Sequence, residues 1–257
     1  MNVLLALLLS AALAGEADDA YQAGVDHARV GDHEAAAGAF IRALDAGGRD
    51  PAVYHGLGNA LWRLDLLGPA TAAWRRGLRL SPRNGDIAAN LDRARRTSED
   101  RIEAPAPTAE IFFWQSVLSP RDSAWLASLL ATLAFAAPLV RRWSKSERRV
   151  GLETPGLLGP ALLLTVSTWT AVVNQDSVVV VVPEVSSRSA LGPDGVELFV
   201  LHEGAEVRVV ETHRDHHLVV LPDERKGWLP ADASLSTNPS APFPRASTWM
   251  GDVETLH

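Results

Sequence analysis

Hydrophobic and polar positions change period several times along the chain, and each change marks a different kind of element. Between Tyr54 and Pro82 the pattern predicts two short antiparallel helices. Small residues, Gly58 and Ala70, stand where the helices must touch, and Leu57, Leu61, Trp74 and Leu78 fill the space around them. Pro82 follows the second apolar run, where a helix ends. A weaker copy lies 34 residues earlier: Gly24 for Gly58, Arg29 for Arg63, Ala36 for Ala70, Phe40 for Trp74, Arg42 for Arg76 and Leu44 for Leu78. A third helix is expected over Asp86 to Arg96, with Leu91 and Ala94 repeating Leu57 and Ala60. Asp92 and Arg95 are polar where the earlier copy is small or apolar, which suits a helix that ends a stack. From Ser177 the pattern turns to strands: an all-valine run at 178–182, then 196–201, 205–210 and 217–221. Turn signals separate them at 192–195, at Glu203-Gly204 and at Pro222-Asp223.

A helical hairpin repeating every 34 residues resembles the tetratricopeptide repeat. Residues 17–98 therefore read as an α-solenoid of two repeats plus a capping helix. Arrays of this type grip peptides on the face lined by the first helix of each repeat. Tyr21, Val25, Asn59, Trp62, Arg63 and Arg93 are the groove candidates by spacing. Trp62 has an alternative role, packing against the next helix. Arginines 63, 75, 76, 79, 83, 93, 95, 96 and 101 make this half basic. They read as a solvated face partnered by Asp65, Asp92 and Glu99, or as a docking patch for anionic headgroups or an acidic partner.

The apolar run at 3–13 is short for a bilayer span, and Ala12-Leu13-Ala14 followed by acidic residues predicts a signal peptide over 1–15. Residues 99–122 are expected to form a proline-stiffened linker and an interfacial segment, Ile111-Phe112-Phe113-Trp114. The uncharged runs 123–140 and 156–173 read as two transmembrane helices, with Trp125, Trp143 and Trp169 near their ends. Arg141, Arg142, Lys145, Arg148 and Arg149 place the 141–155 loop in the cytoplasm. The expectation is a two-pass bacterial inner-membrane protein with the repeats and the C-terminal module on the periplasmic side.

Within 177–235, the order of Glu203-Gly204, the strands after it and Gly227-Trp228-Leu229 resembles bacterial SH3-like domains, which implies an all-β barrel. Arg188, beside Ser189, and Trp228 are its expected ligand face. His216-His217 stands where that family often has a tryptophan, removing one aromatic wall. His213, Asp215, His216, His217 and His202 could suggest a metal site, but a solvated hairpin tip fits better and no metal is expected. Residues 236–257 are Pro- and Ser-rich and read as a disordered tail, with Trp249-Met250 as a short docking motif.

Net charge narrows the function classes. At −7 over 257 residues, with pI near 5.6, the chain lacks the basic balance of a general nucleic-acid binder. Zero cysteines exclude disulfides and thiolate chemistry. There is no phosphate loop, no HExxH and no nucleophile elbow, so the chain reads as a non-enzyme without a cofactor. The order of modules, with LGNALWRLDLLGPATAAWRRGLRLSPRNGDIAANLDRAR over 57–95, resembles the BatE proteins of the bacterial aerotolerance operon. That resemblance implies partnership with von Willebrand A-type membrane proteins and a MoxR-type AAA+ ATPase, in envelope stress tolerance or complex assembly. Two readings of function follow: a membrane-anchored scaffold that binds partner segments through its repeats, or a peptidoglycan-binding protein that acts through the SH3-like domain.

Overall fold

The computed structural model describes residues 2–100, 118, 120–144, 155–173, 177–191, 195–245 and 248. The linker's Pro105 and Pro107, the Ile111–Trp114 segment, the basic residues at 145–149 and the Trp249-Met250 motif lie outside the described residues. The chain divides into two compact units, Met1–Pro105 with Asp176–His257, and Ala106–Gln175.

The first unit begins with five helices: α1 (Asn2–Arg29), α2 (His33–Asp45), α3 (Pro51–Arg63), α4 (Leu67–Leu80) and α5 (Gly85–Thr97). The run at 3–13, read as a signal peptide, lies within α1, which continues to Arg29. The 34-residue period is visible in the starts, with α2 at 33 and α4 at 67, and α3 at 51 and α5 at 85. Local chemistry sets these boundaries. Asp32 accepts from the Ala35 amide at 3.0 Å, Asp50 from Ala52 at 2.7 Å and Asn84 from Ile87 at 3.1 Å, each capping the helix that follows. Pro51 stands in the first turn of α3, where a missing N–H costs nothing. The turn after α1 uses Gly31 at φ 82°, and the turn after α3 puts Asp65 at φ 58° in the same register.

Small and large residues meet as the hairpin pattern requires. A Cβ on Gly24 would lie 2.7 Å from Phe40 Cε1, and one on Gly58 would lie 2.5 Å from Trp74 Cδ1. The same exchange of bulk therefore recurs one period apart. Phe40, Tyr54, Leu57, Leu61, Trp74, Ile87 and Leu91 form the helical core.

Seven antiparallel strands follow: β1 (Ser177–Val180), β2 (Glu184–Arg188), β3 (Glu197–His202), β4 (Glu206–His213), β5 (His216–Val220), β6 (Lys226–Pro230) and β7 (Ser234–Ser236). Their order, β3-β2-β6-β5-β4-β1-β7, makes an open sheet, so the closed barrel expected over 177–235 is not what forms. The reason lies at the β1–β7 end. Strand β1 takes β7 as its outer neighbour, and both strands pack against α4. A helix covers that end of the sheet, which removes the need to close it by strand pairing.

This packing also accounts for the valine run. Alternate side chains of a strand point to opposite faces. Val178 and Val180 enter the sheet's own core with Phe199, Leu201, Val207, Val219 and Leu229, whereas Val179 joins the helical core with Leu235 and Phe243. A strand buried on both faces reads as continuously apolar. The segment from Ser236 to Phe243, expected to belong to a disordered tail, is seated against the helices, with Thr237 and Phe243 buried.

The second unit contains α6 (Pro120–Ser144) and α7 (Pro155–Val173), which pack on one another. Small residues form the buried seam: Ser123, Ala127 and Ala134 of α6 with Ala161 and Ser167 of α7. Among the described residues, no helix is long and apolar enough to cross a membrane, which overturns the two expected transmembrane spans. Arg121 and Asp122 stand in the first turn of α6, and α7 carries Pro160 within the helix together with Thr165, Ser167 and Thr168. The two-pass inner-membrane placement, with its cytoplasmic loop and periplasmic modules, loses its basis with those spans.

Candidate functional site on the helical face

His55, Asn59 and Trp62 recur at four- and three-residue steps on α3, so their side chains share one face of that helix. Asn90 and Arg93 stand one turn apart on α5. Stacking the helices brings the two sets together. The Asn59 side-chain carbonyl accepts from the Trp74 indole at 3.2 Å and from the Asn90 amide at 2.9 Å. The Asn90 amide also lies 3.2 Å from His55 Nε2. The Trp62 ring packs 5.7 Å from the Trp74 ring, tilted by 41°, and the Arg93 guanidinium lies over Trp62 at 5.3 Å.

The resulting patch has a buried base and a polar surface. Trp74 is buried in the helical core, Trp62 and Asn90 are half-buried, and Asn59 and Arg93 are exposed. Because the indole of Trp74 and the amide of Asn90 both point at one oxygen, the orientation of the Asn59 amide is fixed from beneath. Arg93 and Trp62 provide a cation on an aromatic face, a surface that recognises planar, apolar or acidic groups.

Of the residues expected to line the groove, Asn59, Trp62 and Arg93 are brought together. Arg63 is exposed at the last position of α3 and takes no part in these contacts. Tyr21 stands on α1 against Phe40, with ring centroids 5.8 Å apart, and Val25 packs on the helical core, so both belong to the first hairpin instead. His55 and Asn90 escaped the sequence reading, although their spacing to Asn59 and Arg93 carried the signal.

Three of the arginines read as a solvated face have another destination. Arg75 and Arg95 both bind the Glu206 carboxylate, which is 4% exposed. Arg79 donates to the Ser177 hydroxyl at 2.8 Å. Arg96 pairs with Asp92. Arg75, Arg79 and Arg95 therefore belong to the seat of the sheet on the helices, whereas Arg96 keeps an exposed pairing within α5. Glu203 completes this seat. Leu66, which precedes α4, has no side-chain oxygen to offer, and Glu203 accepts from the Gly68 amide at 2.7 Å in its place. Burial raises the Glu203 carboxyl above its usual range, an effect the Gly68 hydrogen bond partly offsets. The Asp100 carboxylate takes the His202 backbone N–H at 2.5 Å and lies 3.1 Å from its ring. That hydrogen bond raises the His202 pKa, with Glu99 and Glu184 adding charge attraction.

On the sheet, Arg188 and Trp228 are register partners across β2 and β6, and both line a groove of about 320 Å³ with Ser186, Ala190, His216 and Pro230. His216 forms part of its wall where an aromatic residue was expected. His213 and His216 face each other at the tip of the β4–β5 hairpin, and the His217 ring lies 3.0 Å from the Thr212 hydroxyl. His202 is held elsewhere, at Asp100. Among the described residues, no group of three or more His, Cys, Asp or Glu is placed to hold a metal.

Comparison with known protein families, with curated protein sequences and with solved structures finds no match.

Proposed function

We propose that this chain is a non-catalytic adaptor whose α3–α5 face holds a segment of a protein partner. The observation that carries the reading is the arrangement of Asn59, Trp62 and Arg93 over a buried, hydrogen-bonded base. Such a surface is ordered before binding, which lowers the conformational cost of recognition. The resemblance of 57–95 to BatE proteins suggests the partner class, a von Willebrand A-type protein acting with a MoxR-type AAA+ ATPase. The combined change Asn59→Ala, Trp62→Ala and Arg93→Ala is expected to reduce partner recovery at least tenfold while helical circular dichroism is retained. Undiminished recovery from the folded variant would remove this face from the account.

A second reading rests on the groove between Arg188 and Trp228, whose aromatic wall and cation suit a peptidoglycan stem peptide. It requires that the full chain sediment with purified wall and that Trp228→Ala abolish the effect. Equal sedimentation of the variant would rule the groove out.

A further inference from the structure

Strand β3 ends the sheet opposite to β7, and the two ends differ in what lies beyond them. The β7 end packs against α4, whereas β3 has β2 on one side and, among the described residues, no strand on the other. Two hydrogen bonds fix which way the backbone of β3 faces. The Glu203 N–H donates to the Pro183 carbonyl at 3.3 Å, toward β2. The His202 N–H donates to the Asp100 carboxylate at 2.5 Å, away from β2. Backbone groups of an antiparallel edge strand alternate in this way, so Leu201 faces β2 and Val200 directs its N–H and C=O outward. Asp100 thus holds, at His202, the place where the carbonyl of a neighbouring strand would stand.

Side chains at this edge are apolar and acidic. The register shifts between Ser187 and Arg188, which leaves Leu198 without a partner on β2. Val196 is 67% exposed and Leu198 47%. Glu184 and Glu197 are exposed at opposite ends of the same strand pair, and Glu99 and Asp100 lie beside His202. Arg188 faces Glu197 from β2 and His202 faces Glu184, so carboxylates outnumber cations here. Strand β3 carries neither the lysine nor the proline that commonly blunts such an edge. A second copy of this strand would complement it poorly, because pairing two copies about Val200 sets Glu197 against Glu203.

We propose that the free edge of β3 is a docking site for an extended, basic segment of another polypeptide, which joins the sheet as a further strand. Main-chain hydrogen bonds to Val200 supply the affinity, as in other strand additions. Apolar side chains of the segment cover Val196 and Leu198, and its lysine or arginine side chains meet Glu99, Glu184 and Glu197. This edge is separate from the α3–α5 face and from the groove between Arg188 and Trp228, so the proposal can fail without either.

The probe is a peptide of about seven alternating lysine and valine residues, the length of an ordinary strand. A control peptide carries glutamate in place of lysine, and each is added to the full-length chain. Amide hydrogen exchange at Val200 is expected to slow about tenfold or more with saturating lysine peptide and to stay unchanged with the control. Val200→Pro removes the outward N–H without touching a ladder bond to β2, so binding of the lysine peptide should be lost while circular dichroism is retained. Exchange at Val200 that ignores the lysine peptide, or responds equally to both peptides, would overturn the proposal. So would slowing that depends on protein concentration alone, which would make the occupant a second copy. The exchange measurement uses the unmutated chain and decides the matter whether or not the Val200 variant folds.

Discussion

Single positions in the helical hairpins carry opposite kinds of constraint. Gly58 gives its space to the Trp74 ring, and an added Cβ would fall 2.5 Å from Trp74 Cδ1. The ring is held by its bond to Asn59 and by Trp62, so it cannot move away without disturbing the candidate site. Gly58→Ala is expected to destabilise the chain by about 1–3 kcal/mol, as other overpacked cores do, and to weaken partner binding as well. Thr71 poses the reverse problem. Its hydroxyl is buried without a hydrogen-bond partner, so the group is desolvated and gains nothing in return. Thr71→Val removes that oxygen at nearly constant volume and should raise stability by about 1 kcal/mol. Urea unfolding of the two variants checks both signs. A loss of stability in Thr71→Val would mean that the hydroxyl has a partner in solution.

At the scale of elements, the β3–β4 turn governs how the sheet meets the helices. Glu203 caps α4 from outside that helix, and neighbouring His202 is held by Asp100 just beyond α5. Both groups bind protons more tightly in the folded state than in the unfolded one. The stability each contributes is complete below its ordinary value, 4.5 for the glutamate and 6.5 for the histidine, and is lost as pH rises through the raised folded value. The two effects add, so stability should decline between about pH 5 and about pH 8. Thermal melts across that range test this, with the His202→Gln and Glu203→Gln double variant expected to show a flatter profile. An unchanged slope in the variant would assign the dependence to other groups. Little of this junction was legible beforehand. The strand Val178–Val182 announced itself by composition, but a valine run does not say what covers its second face. Arg75 and Arg79 have the spacing of an exposed helix stripe, and a carboxylate 131 positions after Arg75 leaves no local trace. By contrast, the hairpins were legible because Gly24 with Phe40 and Gly58 with Trp74 exchange bulk within one repeat.

For the molecule as a whole, α1–α5 and the sheet form one folding unit, with the sheet seated through α4. The order of modules along the chain suggested independent domains joined by spacers. That expectation failed because β1, β7 and the 236–243 segment complete the helical core through Val179, Leu235 and Phe243. The candidate site was more accessible to sequence reasoning, since Asn59 on α3 and Arg93 on α5 stand one 34-residue period apart, with Trp62 one turn along α3. Tyr21 and Arg63 were misplaced because spacing alone cannot tell which neighbour a half-buried aromatic meets or whether a terminal arginine turns outward. Native-state hydrogen exchange on the full-length chain, with and without Glu206→Ala, tests the claim most directly. Removing Glu206 leaves Arg75 and Arg95 without their shared carboxylate, a loss of about 2–3 kcal/mol. The account predicts that the slowest amides of α3, α4, β1 and β4 share one opening free energy and fall together in the variant. Loosening confined to the sheet, with α3 and α4 unchanged, would show that the helices fold independently and would contradict it.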